Sequence, residues 1–314
     1  MSGPSQFPTA LRDAILAWYA AGTRTLPFRA STDPYAILVS EAMAQQTQAA
    51  RAGEAWVRFM AHFPTVEILA TAAPADVVRA WRGLGYNRRA MDLWRAAGQI
   101  VERFEGRVPS DPADLESLPG VGPYTARAVA ALAFGLPVGA VDTNVRRVLG
   151  RIVMGEAGVL APAALQRLAD DVVPPDRPGE WTHALMDVGA TLCHPRRPDC
   201  GPCPARAWCR YADPSEREAA IRAMPVRTMP RTARPASAAR EAPAPFRTTS
   251  RWLRGRIVDR LREAPNGAWV VLDDSIGVHD RVAVEVATRT LAREGLIDMD
   301  DATPGDLRVR LPIG

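Results

Sequence analysis

The stretch from Leu118 to Arg151, LPGVGPYTARAVAALAFGLPVGAVDTNVRRVLGR, decides how the chain is read. Just upstream, Asp111 to Leu118 (DPADLESL) predicts a short helix, capped by Ser110 or Asp111 with Pro112 in its first turn. Pro119-Gly120-Val121-Gly122-Pro123 then reads as a tight turn whose glycines open backbone angles that other residues avoid. Tyr124 to Phe134 is alanine-rich and helical, and Gly135-Leu136-Pro137 stops it. Two helices joined by a Gly-x-Gly hairpin aim unpaired backbone N–H groups outward. The positive end of the second helix adds to them, so Gly120 and Gly122 mark a place for a phosphate.

This is a helix-hairpin-helix pattern, and its usual partner is the DNA backbone. Beyond it comes Val141-Asp142-Thr143-Asn144-Val145, opening a helix whose apolar face is Val145, Val148, Leu149 and Ile152. Taken alone, Asp142 is best read as an N-cap. The combination LPGVG-x-YTA with VDTNVRRVL, however, resembles the helix-hairpin-helix DNA glycosylases. In that family an aspartate at this position is catalytic, and the resemblance carries that role to Asp142.

With 314 residues and 47% apolar content the chain can bury a real core, in two or three domains. No apolar run approaches a membrane span, and the N-terminus lacks the basic-then-apolar layout of a signal peptide, so a cytoplasmic protein is expected, nucleoid-associated if bacterial. A net charge of +4 says little, but all 39 basic residues are arginine and none is lysine.

Cys193, Cys200, Cys203 and Cys209 are the only cysteines, spaced C-x6-C-x2-C-x5-C. Clustered thiols in a cytosolic protein favour metal over disulfides. Four thiolates suit zinc as well as iron. The compact single run differs from the two separated pairs of a zinc ribbon, and it resembles the [4Fe–4S] loop of the endonuclease III and adenine glycosylase branch. The resemblance implies a [4Fe–4S] cluster on these four cysteines.

Thr9 to Ala21 predicts an amphipathic helix with Leu11, Ile15, Leu16 and Trp18 on one side. Arg24-Thr25-Leu26-Pro27-Phe28-Arg29 resembles the R-x-LPWR pattern of adenine glycosylases, with Phe28 for tryptophan, and implies Arg29 near the target base. Asp33-Pro34 opens a helix in which Glu41 shares the apolar face of Ile37 and Leu38. No arginine stands three or four residues from it, so its carboxyl should be raised, as suits a general acid. The surrounding SE-x-M-x-QQTQ resembles the adenine glycosylase signature. On that resemblance Glu41 is the proton donor, Gln46 a wedge beside the estranged base, and Thr47 a contact with it; Ala44 departs from the usual leucine. Gly83-Leu84-Gly85-Tyr86 resembles the family's wedge loop, with Tyr86 intercalating while Arg88 and Arg89 neutralise phosphates. Trp181 to Leu192 predicts a helix carrying His183, where relatives usually place Gln or Glu to read adenine. Tyr124 and Asn144 are implied to orient the sugar and the water.

From Asp213 to Thr249 the composition turns to Pro, Ala and Arg, which reads as a linker. Residues 250–314 then predict a helix from Ser250, a strand at Trp269 to Leu272, a helix from Val282 to Arg293, and strands at Leu296 to Met299 and Leu307 to Leu311 paired across residues 301–305. This is a small α+β, winged-helix-like domain. The expected architecture is mostly α. A six-helix barrel over 34–137 carries the hairpin, and 1–33 with 138–212 form the cluster domain; linker and C-terminal domain follow. The expected activity is a monofunctional glycosylase hydrolysing the N-glycosidic bond of adenine opposite 8-oxoguanine or guanine, acting as a monomer on double-stranded DNA. A G·T thymine glycosylase and a non-catalytic iron–sulfur DNA-binding protein are the alternatives. A lyase mechanism through a side-chain Schiff base is excluded by the lack of lysine.

Overall fold

The computed structural model describes residues 7–22, 24–155, 160–212, 245–272, 274–300 and 306–313. Most of the expected linker and the turn at 301–305 lie outside the described residues. The chain forms two compact units. One is Met1–Glu41, Val108–Ser117 and Val121–Thr228; the other is Ala42–Arg107, Leu118–Gly120 and Met229–Gly314. Among the described residues no helix is long and apolar enough to cross a membrane.

The first unit holds α1 (Thr9–Ala21), most of α2 (Pro34–Ala44), α7 (Pro112–Glu116), α8 (Pro123–Phe134), α9 (Thr143–Met154), α10 (Pro162–Asp171) and α11 (Pro178–Thr191). Its core is built by helical spacing: Leu11 and Ile15 of α1 meet Val145, Leu149 and Ile152 of α9 and Trp181, Leu185 and Val188 of α11. Trp18 packs only at the edge of that cluster. Caps set the helix starts. The Asp33 carboxylate accepts from the Tyr35 and Ala36 amides, each at 3.2 Å, and Asp111, not Ser110, caps α7 by accepting from Ala113 N at 2.7 Å.

The hairpin glycines divide the labour. Gly120 sits at φ +76, with Asp92 so close that a Cβ would lie 2.8 Å from its Cβ; no other residue fits there. Gly122 does not use the freedom expected of it: at φ −95 it is an extended N-cap of α8.

The second unit contains α3 (Ala49–His62), α4 (Val66–Thr71), α5 (Pro74–Ala80), α6 (Arg88–Phe104), α12 (Ser250–Glu263), α13 (Arg281–Arg293) and strands β1 (Val270–Val271), β2 (Asp298–Asp300) and β3 (Arg308–Arg310). The strands form one antiparallel sheet in the order β1-β3-β2, with Met299 and Val270 both paired to Val309. The region from 250 onward is not a free arm. Leu253, Ile257 and Leu261 of α12 share one apolar cluster with Val78 of α5 and Met91 of α6. Arg262 reinforces the joint, donating from Nε and Nη2 to Val78 O at 3.0 and 2.9 Å. Burying each such aliphatic side chain is worth about 1.5–3 kcal/mol, so this module is held firmly.

Candidate active site

Glu41 stands on α2 facing inward, 8% exposed. Burial pushes its carboxyl up to about 7; the Tyr124 hydroxyl bonded to it pulls the other way, and the charge of Asp142 adds to the rise. The sequence suggested a carboxyl without a partner; Tyr124, in the first turn of α8, is that partner. Burial and the neighbouring Glu41 carboxylate raise the Tyr124 phenol well above its usual range, so it stays a neutral donor. Its hydroxyl also lies 3.7 Å from Met186 Sδ.

Asp142 is an N-cap as well as a neighbour of Glu41. Its Oδ1 accepts from Val145 N at 2.6 Å and its Oδ2 from Asn144 Nδ2 at 2.8 Å. Asn144 is itself fixed, accepting from Arg147 Nη2 at 2.8 Å. Arg147 also donates to Gly189 O at 2.7 Å and to Cys193 O at 2.6 Å. A hydrogen-bonded line therefore runs from the first cysteine to Asp142. Gly189 permits it, since a Cβ there would lie 2.5 Å from Asn144 Cβ.

A cavity of about 310 Å³ opens beside Glu41, walled by Phe28, Arg29, Ile37, Ser40 and His183 among others. Arg29 sits in a two-pronged pair with Asp187, at 2.6 Å from Nη1 and 2.8 Å from Nη2, and Arg24 Nε donates to the same carboxylate at 2.6 Å. Two guanidinium groups hold Asp187 below the usual carboxylate range against the opposing effect of its burial. Sequence reasoning missed Asp187; the signal was its place one turn after His183 on α11. His183 lies beside the Tyr19 ring, 6.4 Å between centroids. Burial, then Arg29, lowers it to about 4, so at neutral pH it is an uncharged imidazole with one donor and one acceptor.

The second unit carries the other named residues. Among the described residues only Gln46, Tyr86 and Glu105 have positive φ without being glycine, at 54°, 47° and 53°. Glu105 merely ends α6. Gln46 and Tyr86 are exposed loop residues in a strained conformation, and such strain collects at functional sites. One side chain holds both loops. Arg89 Nη1 donates to Ala42 O, Met43 O and Gln45 O at 2.8, 3.0 and 2.7 Å. Its Nη2 donates to Thr47 Oγ1 at 3.1 Å and Gly85 O at 3.2 Å, and its guanidinium lies 5.4 Å from the centre of a Trp81 ring and 5.6 Å from that of Tyr86. Arg89 is thus an internal clamp and not the phosphate contact the sequence suggested. Arg88 is 66% exposed, and its Nε lies 3.7 Å from Asp92 Oδ2.

All four cysteines are free and half-buried after α11. Burial pushes the Cys203 thiol up to about 11, and the other three thiols each add to the rise. Arg151 answers them: its Nη1 lies 3.2 Å from Cys193 Sγ and 2.8 Å from His194 O, and its guanidinium stacks on Tyr211. Among the described residues no three His, Cys, Asp or Glu side chains gather tightly enough to hold a single metal ion.

Residues 39–174 match the model of the HhH-GPD superfamily of base excision DNA repair proteins. An adenine DNA glycosylase of Mycolicibacterium smegmatis is 36% identical over 90% of this chain and 91% of its own. The chain belongs to the adenine DNA glycosylase family. It is a DNA glycosylase of base excision repair, a hydrolase of N-glycosyl bonds. The human adenine DNA glycosylase is 40% identical over 67% of this chain but only 41% of its own length. Among solved structures, a thermostable thymine-DNA glycosylase superposes with a TM-score of 0.61 at 31% identity, covering 64% of this chain and 94% of that one. An endonuclease III–DNA complex superposes at 0.58 with 23% identity, covering 69% of this chain and all of that one, which shows the shared fold.

Proposed function

We propose that this glycosylase removes adenine mispaired with 8-oxoguanine or guanine in double-stranded DNA, acting as a monomer in the cytoplasm. The observation that carries the reading is a buried carboxyl at about 7, Glu41, sharing its site with Asp142 and Tyr124 beside a cavity walled by Arg29 and His183. Two carboxylates in unequal environments divide into acid and stabiliser. The nucleotide leaves the stack, because its reacting atoms are unreachable within the duplex. Glu41 gives its proton to adenine N7; the C1′–N9 bond breaks with its electron pair passing to the base. Asp142 stabilises the positive sugar, with Tyr124 and Asn144 orienting sugar and water, and water adds its oxygen to C1′ while its proton passes to the Glu41 carboxylate, restoring the acid. The neutral His183, able to donate and accept, reads the edge of the base. Gln46, Thr47 and Tyr86 hold the space the base has left.

The four cysteines fit a [4Fe–4S] group by the chemistry of the donor set: four thiols on one short loop, each near enough to Cys203 to raise its thiol, with Arg151 supplying positive charge beside Cys193. Such a group would serve structure, tying the loop after α11 to Asp142 through Arg147 and Asn144. The chemistry above requires no electron. The thymine-DNA glycosylase likeness makes a G·T mispair the second reading. Single-turnover excision on duplexes with A opposite 8-oxoguanine, A opposite G, and T opposite G decides between them. Adenine release fastest opposite 8-oxoguanine is expected, from brown protein holding about four irons per chain. Thymine release exceeding adenine release would move the assignment to the G·T reading.

A further inference from the structure

A second groove, of about 570 Å³, lies within the second unit, between the Gly83–Asn87 turn and helix α12, with Arg51 of α3 at its side. Five arginines line it, Arg51, Arg251, Arg254, Arg256 and Arg262, against one carboxylate, Asp259. Three of the five are spent. Arg262 is buried, joining Asp259 at 2.7 Å and Asn87 Oδ1 at 3.0 Å as well as Val78 O. Arg256 pairs with Asp259 and Arg254 with Glu294. Arg51 and Arg251 are exposed and, among the described residues, have no hydrogen-bond or ion-pair partner. The Arg251 guanidinium lies 3.8 Å from the centre of the Tyr86 ring.

Two exposed guanidinium groups without a carboxylate gain the fold little beyond the one contact of Arg251 with the Tyr86 ring. Their mutual repulsion opposes folding. The same arrangement suits a polyanion that carries flat rings: phosphates neutralise the cations while the aromatic meets bases. Helix α12 is fixed by Leu253, Ile257 and Leu261 in the core it shares with α5 and α6, so Arg251 is presented from a rigid support. We propose that this groove binds the phosphodiester backbone of the DNA on either side of Tyr86, with Arg51 and Arg251 each meeting a phosphate. The C-terminal module would thereby form part of the DNA-binding surface itself. The proposal rests on the reading of the chain as a DNA glycosylase.

The test is the salt dependence of duplex affinity for the full-length protein, measured by fluorescence anisotropy on a duplex with a non-hydrolysable adenine nucleotide. Each phosphate contact contributes about 0.9 to the slope of log affinity against log salt. Arg51→Gln and Arg251→Gln should each flatten the slope by about that amount, and the double variant by about twice as much. Arg251→Lys, which keeps the charge, should restore it. Arg289→Gln removes the same charge from α13, where Arg289 pairs with Glu285 at 2.9 Å, and should leave the slope alone. Parent slopes in both groove variants, or flattening no greater than in Arg289→Gln, would overturn the proposal. So would tighter binding by Arg251→Gln, which would make Arg251 a cover over Tyr86. Binding slopes need no chemistry. A parent protein that binds duplex but releases no base would therefore fail the glycosylase reading while leaving the groove testable.

Discussion

Glu41 and Gln46 lie five positions apart along the chain, yet their regions are held away from rest in different ways. Around Glu41 the departure is electrical: a carboxyl taken out of water, its proton held up to about 7 by burial and by a second carboxylate. Around Gln46 and Tyr86 it is geometric: left-handed backbone at 54° and 47° in residues with a Cβ, locked by one guanidinium. The first kind of stored free energy can be spent on moving a proton. The second cannot, but it fixes where exposed side chains point before a duplex arrives, which lowers the ordering cost of binding. The two regions should therefore fail differently when altered.

The largest effect belongs to the electrical region. Glu41→Gln removes the transferable proton and should slow single-turnover excision by about 10²–10⁴-fold while duplex affinity stays close to the parent's. Asp142→Asn keeps the cap to Val145 N through its remaining oxygen but loses the charge, and should slow excision comparably. Parent-rate turnover by either variant would remove that residue from the mechanism. The pH profile gives the sign: the acid form of Glu41 prevails below about 7, so excision should fall as pH rises through that value.

The geometric region should break through Arg89. Replacing it with methionine leaves the carbonyls of Ala42 and Met43 without their side-chain donor, while Gln45 O keeps Thr47 Oγ1 and Gly85 O keeps Trp81 Nε1. Desolvated groups left so cost about 1–3 kcal/mol each, less where part-buried, so a loss of roughly 2 kcal/mol in urea unfolding is expected. Arg89→Lys keeps the charge but lacks the fork that reaches both loops, and should fold while binding duplex more weakly. In both variants the midpoint of the pH–rate profile should remain that of the parent, since Arg89 has no part in the Glu41 environment. A shifted midpoint would mean that the two regions are not the separate devices described above.

The two regions also differ in how far the sequence announced them. Apolar spacing placed α1 and the β2–β3 pair, because the periods that bury one face are written in neighbouring residues. Glu41 on an apolar face was equally local, and so was its raised carboxyl. Asp187 announced only its place one turn after His183, and Arg89 nothing of its clamp. Each works through partners distant in the chain or through backbone carbonyls, which carry no residue identity. The docking of α12 on Val78 and Met91 was hidden for the same reason: apolar periodicity says that a face is buried, never against what. Gly122 shows the converse, a motif glycine whose backbone angle needs no glycine.

The smallest expected effect separates the cost of the electrical region from its use. A carboxyl titrating near 7 when folded and near 4.5 when unfolded resists giving up its proton in the native state. The stability linked to its protonated form is fully present below about 4.5 and is lost as pH rises through about 7. Above both values the fold carries a penalty on the order of 3 kcal/mol, with the Tyr124 hydrogen bond to the carboxylate already counted in the value near 7. Glu41→Gln cannot ionise and is free of that penalty. Its unfolding free energy should match the parent's near pH 4.5 and exceed it increasingly towards pH 8, by up to about 3 kcal/mol. Urea titrations of both proteins at the two pH values measure the difference directly. A variant whose advantage is the same at both would show that Glu41 is ionised without strain in the fold, and that the proton donor must be sought elsewhere in the cavity.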